Sequence, residues 1–85
     1  MDDHLSTEEV GWILDRSAGT VRGMIRDGNI EAVRLASGFR VPKAEALRLA
    51  RERIAAESGR KLSDYELERL VDEVIATNRE RLSRA

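Results

Sequence analysis

The order of structural signals in the first half of the chain constrains its fold more than any other feature. Two short helical patterns come first, over residues 6–14 and 17–27, with only two residues between them. Two short strand patterns follow, over residues 30–35 and 39–42, and the residues between them, 36–38, suit a tight turn. The sequence therefore predicts two closely connected helices followed by a β-hairpin.

Capping residues mark the ends of the two predicted helices. Ser6 and Glu9 have the spacing of a capping box, in which each side chain bonds to the backbone N–H of the other residue. Ser17 is the natural N-cap of the second helix. Gly28 supplies the left-handed residue that commonly ends a helix. Both helices are therefore expected to be short and well delimited.

The second helix combines an apolar face with two interior glycines. Its periodicity turns Val21, Met24 and Ile25 toward the core. Gly19 and Gly23 each cost on the order of 1 kcal/mol relative to alanine in a helix. These glycines either let another molecule approach the backbone or relieve crowding against the first helix, and the sequence leaves both explanations open.

Two further helices are predicted after the hairpin. Pro42 ends the second strand because it cannot donate a ladder hydrogen bond, and a third helix runs over about residues 43–57. Ser63 and Glu66 form a second capping box at the start of a fourth helix. The polar tail of that helix, residues 78–85, is expected to fray.

The fourth helix carries an apolar stripe that admits two uses. Its members recur at three- and four-residue spacing: Leu67, Leu70, Val71, Val74 and Ile75. The stripe either packs on the third helix to complete a small core or forms a docking face for a partner. We therefore predict a domain over residues 1–57 and a C-terminal helical extension over residues 58–85, which packs on that domain or on a partner.

Composition narrows the class of protein. With 85 residues the chain is one small domain, and it has no cysteine, which excludes disulfides and thiolate metal sites. The single histidine, His4, lies in a polar segment, and the sequence contains no Gly-rich phosphate loop, metal-ligand cluster or nucleophile–base pair. We expect no metal, no cofactor and no enzymatic activity. No membrane-length apolar run and no signal peptide are present, so we expect a cytoplasmic location.

The charges of the chain are distributed unevenly. Residues 16–43 contain six basic residues and two acidic ones, a net charge of +4, whereas residues 1–15 contain five acidic residues and no Lys or Arg. Residues 44–85 are balanced, with nine residues of each sign. The positive charge therefore coincides with the second helix and the hairpin, and a local excess of this kind is typical of a nucleic-acid-binding surface.

Several segments of the chain resemble the excisionase-type, MerR-like winged helix-turn-helix family. Residues 6–10 resemble the opening helix of that family, residues 17–21 the start of its recognition helix, and residues 25–28 the end of that helix. Residues 32–34 and 38–42 resemble its wing and the exit into the next helix. The resemblance covers about half of the chain. It implies a mainly α fold with a small β-hairpin wing, a MerR-like winged helix-turn-helix followed by a C-terminal helix.

The resemblance also implies a function. Proteins of this type place the second helix in the major groove of double-stranded DNA and the wing against the adjacent minor groove. We expect a small DNA-binding and DNA-bending protein that acts as a recombination directionality factor. Its partners would be other copies on adjacent sites and a tyrosine integrase, and it would be associated with the bacterial nucleoid. Two alternatives stay open, a transcription regulator that dimerises through the C-terminal helix and an assembly adaptor that does not bind DNA.

The candidate DNA contacts lie on the second helix and around the hairpin turn. Arg22 and Arg26 are four residues apart and project from one helical face, where arginine suits bidentate contact with guanine or phosphate. Arg34 and Arg40 flank the turn, where a narrow minor groove attracts arginine. The complete set is Ser17, Ala18, Gly19, Thr20, Arg22, Gly23, Arg26, Arg34, Ser37, Gly38, Arg40 and Lys43. Each has a simpler explanation as well: the charges as solvated surface residues, and Ser17 as a helix cap only.

Overall fold

The computed structural model describes residues 4–84, which form four helices and three short strands. In chain order these elements are β1 (His4–Leu5), α1 (Thr7–Leu14), α2 (Ala18–Arg26), β2 (Val33–Leu35), β3 (Gly38–Pro42), α3 (Lys43–Ser58) and α4 (Asp64–Ser83). The protein is therefore mainly helical with a small antiparallel sheet, as the sequence predicts. None of the helices in the described part of the chain has the length and apolar character that crossing a bilayer requires.

The predicted caps of α1 and α2 are confirmed. The Ser6 hydroxyl accepts the Glu9 N–H at 3.1 Å, and the Glu9 carboxylate accepts the Ser6 N–H at 2.9 Å. The Ser17 hydroxyl accepts the Thr20 N–H at 3.1 Å at the start of α2. Gly28 follows α2 with a φ of +83°, the left-handed conformation in which glycine meets no Cβ penalty. Local capping therefore sets the bounds of both helices.

A tight turn joins α1 to α2 and depends on Gly11. The Gly11 carbonyl accepts hydrogen bonds from the Asp15 and Arg16 N–H groups, the latter at 2.9 Å. A Cβ atom at Gly11 would lie only 2.4 Å from the Arg16 carbonyl oxygen, which belongs to the backbone and has little room to move. Glycine at this position therefore allows α2 to begin so close to α1.

The sheet has one strand more than the predicted hairpin. Its strand order is β1-β3-β2, and both pairings are antiparallel. The additional strand, β1, places Leu5 opposite Val41, so the start of the chain pairs with the end of the hairpin. This pairing joins residues far apart in sequence, and a strand of two residues is too short to show alternation.

The first strand of the hairpin is shorter and more exposed than predicted. It begins at Val33 and not at Ile30, and Leu35 pairs with Gly38 across a two-residue turn. Ile30 is buried in the core from the segment before the strand. Val33 and Leu35 are 46% and 48% exposed, and β2 lies at an edge of the sheet, where it pairs only with β3. Neither residue therefore belongs to the buried core that contains Val41.

All four helices contribute to one hydrophobic core. Its buried members are Leu5, Val10, Ile13, Val21, Ile30, Val41, Ala46, Leu49, Ala50, Leu67 and Val71. α4 packs against α1 and α3, so residues of the C-terminal extension and of the preceding domain share this core. α4 continues to Ser83, and the Arg79 guanidinium forms an ion pair with Glu9 of the α1 cap. The expected fraying from residue 78 is therefore not observed up to residue 83.

Candidate nucleic-acid interface

The exposed face of α2 presents two arginines that have no partner within the described chain. Arg22 and Arg26 are both exposed, and neither forms an ion pair or a hydrogen bond with any residue from 4 to 84. Ser17 and Thr20 are exposed on the first turn of the same helix, and their hydroxyl oxygens lie 3.0 Å apart. α2 therefore exposes two free guanidinium groups and, at its first turn, two hydroxyl groups.

The sequence of α2 explains why its arginines are unpaired. Helical ion pairs form between residues three or four positions apart. The residues at those distances before Arg22 are Ala18 and Gly19, and after Arg26 they are Asn29 and Ile30. The two arginines are four residues apart, so their positive charges lie side by side, which is mildly unfavourable in an isolated helix. The helix therefore keeps two cations that nothing within it neutralises.

The two glycines of α2 have no steric function inside the protein. A Cβ atom at Gly23 would meet no atom within 4 Å. A Cβ atom at Gly19 would lie 3.7 Å from Arg22 Nη2 and 3.8 Å from Ser17 Oγ, both ordinary contacts within α2 itself. Crowding against α1, one of the two explanations that the sequence leaves open, is therefore wrong for both residues. Gly11 is the glycine that the packing of α1 and α2 requires.

The hairpin carries two further arginines, Arg34 on β2 and Arg40 on β3. The Arg34 guanidinium lies over the Phe39 ring, 5.7 Å from the ring centre. The Arg40 guanidinium donates to the Phe39 carbonyl at 3.0 Å and to the Ser37 hydroxyl at 3.3 Å. These contacts stay within the hairpin, and no carboxylate among residues 4–84 pairs with either arginine. Both side chains are therefore partly ordered and still carry an uncompensated charge.

The hairpin base lies beside the end of α2. Ile25 from α2, Val33 from β2 and Pro42 from β3 line one surface depression, together with residues of the connecting segment. The two groups of arginines therefore belong to neighbouring elements.

Gly38 has a φ of +123° in the hairpin turn, a conformation that L side chains rarely adopt, and its open surroundings leave the turn accessible.

Lys43 belongs to a different part of the protein from the other candidate DNA contacts. Its ammonium group lies 2.9 Å from Asp72 and 3.4 Å from Glu68, both on α4. The hydrogen bond to Asp72 holds the pKa of Lys43 above its usual value. Because two carboxylates already neutralise this charge, Lys43 joins α3 to α4 and adds little to a surface for phosphate.

The arginines of α3 and α4 are mostly paired with carboxylates. Arg48 pairs with Glu45 at 2.6 Å and with Glu52 at 2.7 Å. Other ion pairs of the same region are Arg51–Asp64, Arg53–Glu57 and Arg84–Glu80. Three of these helical pairs have i,i+4 spacing, which the sequence of both helices supplies. On α3 every arginine is paired with a carboxylate in this way, whereas on α2 and the hairpin none is within residues 4–84.

The apolar stripe of α4 is largely used inside the molecule. Leu67 and Val71 are each 1% exposed and belong to the core. Val74 and Ile75 are half-buried against the core, and Leu70 is 38% exposed. The five residues proposed for partner binding therefore do not form a continuous free surface.

Sequence reasoning missed a buried carboxylate, Glu45, in the first turn of α3. Glu45 is 8% exposed, and its carboxylate accepts hydrogen bonds from Arg48 and from the Glu31 N–H. The hydrogen bonds from Arg48 are the main cause that keeps the pKa of Glu45 below its usual value. The i,i+3 spacing of Glu45 and Arg48 is visible in the sequence, but the burial and the contact with Glu31 depend on the fold.

Comparison with known proteins gives no match. No protein-family model fits the chain, and no curated protein or solved structure is significantly similar to it. Within residues 4–84, no three His, Asp or Glu side chains are grouped as ligands of a metal ion would be. The residues and contacts of the chain itself are therefore what indicates its function.

Proposed function

We propose that the protein binds double-stranded DNA through α2 and the β2–β3 hairpin, as a winged helix-turn-helix of the excisionase type. One observation carries the proposal. The arginines of α2 and the hairpin have no carboxylate partner among the described residues, whereas most arginines of α3 and α4 do. A surface that keeps free guanidinium groups on an exposed helix suits the phosphates and base edges of DNA.

In this proposal α2 enters the major groove. The helix has nine residues and is about 13 Å long, a size that the major groove of B-DNA admits. Arg22 contacts a base edge or a phosphate, and Arg26 contacts a phosphate. Gly19 and Gly23 allow the helix backbone to approach the DNA closely, since neither glycine has an internal steric reason. Ser17 caps the helix and, with Thr20, lies where a phosphate would meet the N-terminal turn.

The hairpin serves as the wing. Arg34 and Arg40 lie on either side of the turn, and contacts within the hairpin restrict both side chains. A side chain that is already ordered loses less conformational entropy when it binds. The two arginines would therefore lie along the phosphates of the minor groove next to the site of α2.

DNA binding is tested with two matched double variants. Arg22→Ala/Arg26→Ala removes the two charges of α2, and Arg60→Ala/Lys61→Ala removes two exposed charges from the α3–α4 connection. The probes are 30-bp duplexes selected from a random pool by the wild-type protein. We expect the first variant to bind at least about tenfold more weakly at 0.15 M salt, with a salt slope smaller by about 1 to 2. The second variant should bind within about twofold of wild type.

The outcome decides between DNA binding and the adaptor alternative. A wild-type protein that selects no duplex and shows no salt-dependent complex contradicts the proposal and favours an adaptor that does not bind DNA. Equal losses in both variants would show a nonspecific charge effect and would also contradict the proposed site. A thermal unfolding curve of each variant confirms that it is folded.

We further propose that the protein acts as a recombination directionality factor. Copies on adjacent sites would bend the DNA and help a tyrosine integrase to carry out excision, and such a protein would be found on the nucleoid. Bending a site of this length costs on the order of 1 to 6 kcal/mol, which several adjacent copies can offset. A circular-permutation mobility assay on the selected duplex should show a bend and loading onto direct repeats. A stable dimer on an inverted repeat without a bend would favour a transcription regulator.

A further inference from the structure

The hairpin is fixed on one side, where β3 pairs with β1 and buries Val41 in the core, and the chain enters and leaves it at two places. β3 ends at Pro42, and α3 begins at the next residue, Lys43, so this strand passes into α3 without a loop. β2 is reached from α2 through the segment of residues 27–32, which has no regular secondary structure after its first turn. The core fixes β3, and the position of the outer strand β2 relative to the end of α2 depends in addition on how this connecting segment is held.

Within the connecting segment, one side chain is anchored in the core. Ile30 is 2% exposed, whereas Asn29 and Glu31 on either side of it are exposed. The backbone of Gly28 and Asn29 bonds back to the last turn of α2. These contacts position the start of the segment, but they do not connect its end to the hairpin base.

Two side chains of α3 supply that connection. The Glu45 carboxylate accepts the Glu31 N–H at 2.9 Å through Oε2. Arg48 donates from Nε to Glu45 Oε1 at 2.7 Å and from Nη2 to Oε2 at 2.6 Å, so the two side chains form a bidentate pair. Arg48 Nη2 also lies 3.5 Å from the Asn29 carbonyl oxygen. No other side chain among residues 4–84 hydrogen-bonds to the backbone of residues 27–32.

The Glu45 carboxylate is the buried half of this attachment. Glu45 is only 8% exposed, whereas the Arg48 side chain is 45% exposed, so the carboxylate is shielded from water while the guanidinium stays partly hydrated. The bidentate, charge-assisted geometry fixes the direction of the carboxylate. Glu45 lies in the first turn of α3, two residues after Lys43, which joins the same turn to α4. The first turn of α3 therefore contacts the hairpin on both sides. β3 runs directly into this turn, and the connecting segment is hydrogen-bonded to Glu45 within it.

We propose that Glu45 and Arg48 are positioning residues for DNA binding, which fix the orientation of the wing relative to α2. The inference rests on the proposed function. Neither residue contacts DNA. The pair holds residues 29–31, and through them β2, so that Arg34 and Arg40 reach the minor groove while α2 occupies the major groove. Without the pair, α2 still binds, but the hairpin samples other orientations and its arginines lose their contacts.

A double-mutant cycle between Glu45 and Arg40 tests the proposal. Glu45→Gln removes the negative charge of the pair. Glu52→Gln is the matched control, since Glu52 also pairs with Arg48 but is exposed and has no contact with the connecting segment. In the wild-type and Glu52→Gln backgrounds, Arg40→Ala should weaken binding of the selected duplex about tenfold. In the Glu45→Gln background it should weaken binding less than about twofold, because the contact is already lost.

A second cycle separates positioning from general destabilisation. Arg22→Ala should weaken binding by the same factor in the wild-type and Glu45→Gln backgrounds, since α2 is positioned by α1. If the Glu45→Gln variant is not folded, Arg48→Lys replaces it, because lysine keeps the charge but not the bidentate geometry. Hydroxyl-radical footprints should show that protection of the flanking minor groove is lost and that protection at the major-groove site remains.

The results distinguish the failure of this inference from the failure of the proposed function. If Arg22→Ala and Arg40→Ala leave binding unchanged in every background, the proposed DNA interface is wrong. If both weaken binding but the effects of Arg40→Ala and Glu45→Gln multiply independently, DNA binding stands and the positioning role is wrong. An unchanged minor-groove footprint in Glu45→Gln would have the same meaning.

Discussion

Arginines on two surfaces of this small protein have different surroundings. On α3, Arg48, Arg51 and Arg53 each pair with a carboxylate. On α2, Arg22 and Arg26 have no partner among residues 4–84. The same residue type therefore stabilises helix contacts in one region and is kept free in the other.

The difference shows that α2 is not optimised for stability. A helix with two interior glycines and two like charges four residues apart is weaker than the same helix with alanines and alternating charges. Nothing in the described structure requires the glycines of α2, and its N-cap and its apolar face are otherwise well formed. We attribute the lower stability of α2 to the proposed contact with DNA, since functional sites are commonly less stable than the rest of a protein.

The largest expected effect on stability is at Gly11. A Cβ atom at this position would clash with the backbone, whereas a Cβ atom at Gly19 or Gly23 would not. Gly11→Ala places a Cβ atom 2.4 Å from the Arg16 carbonyl oxygen, so α1 and α2 must move apart. We expect a loss of about 3 kcal/mol in the free energy of unfolding, the upper end of the usual cost of overpacking. Urea denaturation measures it. A loss below about 1 kcal/mol would mean that the α1–α2 turn is less tightly constrained than described.

The next largest effect is at Glu45, on the paired surface. Glu45→Gln should lower the free energy of unfolding by about 2 kcal/mol at pH 7, because Arg48 and the Glu31 N–H lose a charged acceptor. The pKa of Glu45 is lower in the folded chain than its usual value of 4.5, so its contribution is complete above that pH and is lost as the pH falls below it. The difference between wild type and variant should therefore shrink toward pH 3. A difference that stays constant from pH 7 to pH 3 would rule out this role of the carboxylate.

A substitution at Gly23, on the unpaired surface, is expected to raise the free energy of unfolding, not to lower it. Gly23→Ala introduces a Cβ atom that meets nothing within 4 Å, so the variant should be more stable than wild type by about 1 kcal/mol. Under the proposed function it should also bind the selected duplex at least about tenfold more weakly, because the methyl group separates α2 from the DNA. Denaturation and binding are measured on the same preparation. A gain in stability without a loss of affinity would show that close approach at Gly23 is not needed.

The smallest effect is expected at Lys43, which tests where the boundary between the two surfaces lies. Its pairs with Glu68 and Asp72 are partly exposed, so Lys43→Ala should cost less than about 1 kcal/mol of unfolding free energy. DNA affinity should change by less than about twofold, whereas Arg40→Ala should change it about tenfold. Equal effects of the two substitutions on DNA affinity would place Lys43 on the binding surface after all.

Much of the helical structure could be predicted from residues close together in sequence. The capping box of Ser6 and Glu9, the Ser17 cap and the stop at Gly28 all depend on contacts over three or four residues. The second capping box, of Ser63 and Glu66, is confirmed for the same reason. Such contacts need no knowledge of the fold, because a helix brings its own near neighbours together.

The exposure of the candidate arginines of α2 could be predicted from the sequence, but the arrangement of the candidate residues could not. The spacing of Arg22 and Arg26 indicates a shared helical face, and both are exposed as expected. The sequence does not show that Lys43 is paired with residues of α4, which lie 25 and 29 positions further along the chain. It also does not show that the glycines of α2 are free of α1. Both facts depend on how helices pack against each other.

The sequence by itself determined where the helices begin, where the first two of them end, that a tight turn closes a hairpin, and that positive charge collects on α2 and the hairpin. Only the tertiary structure decided which charges remain free, which glycine the packing requires and what holds the hairpin in place. The part-buried bond from the Glu31 N–H to Glu45 joins residues 14 positions apart, and β1 pairs with β3 across most of the first half of the chain. The physical reason is range: caps and turns involve neighbours along the chain, whereas burial and ion pairing between elements exist only once the core has formed.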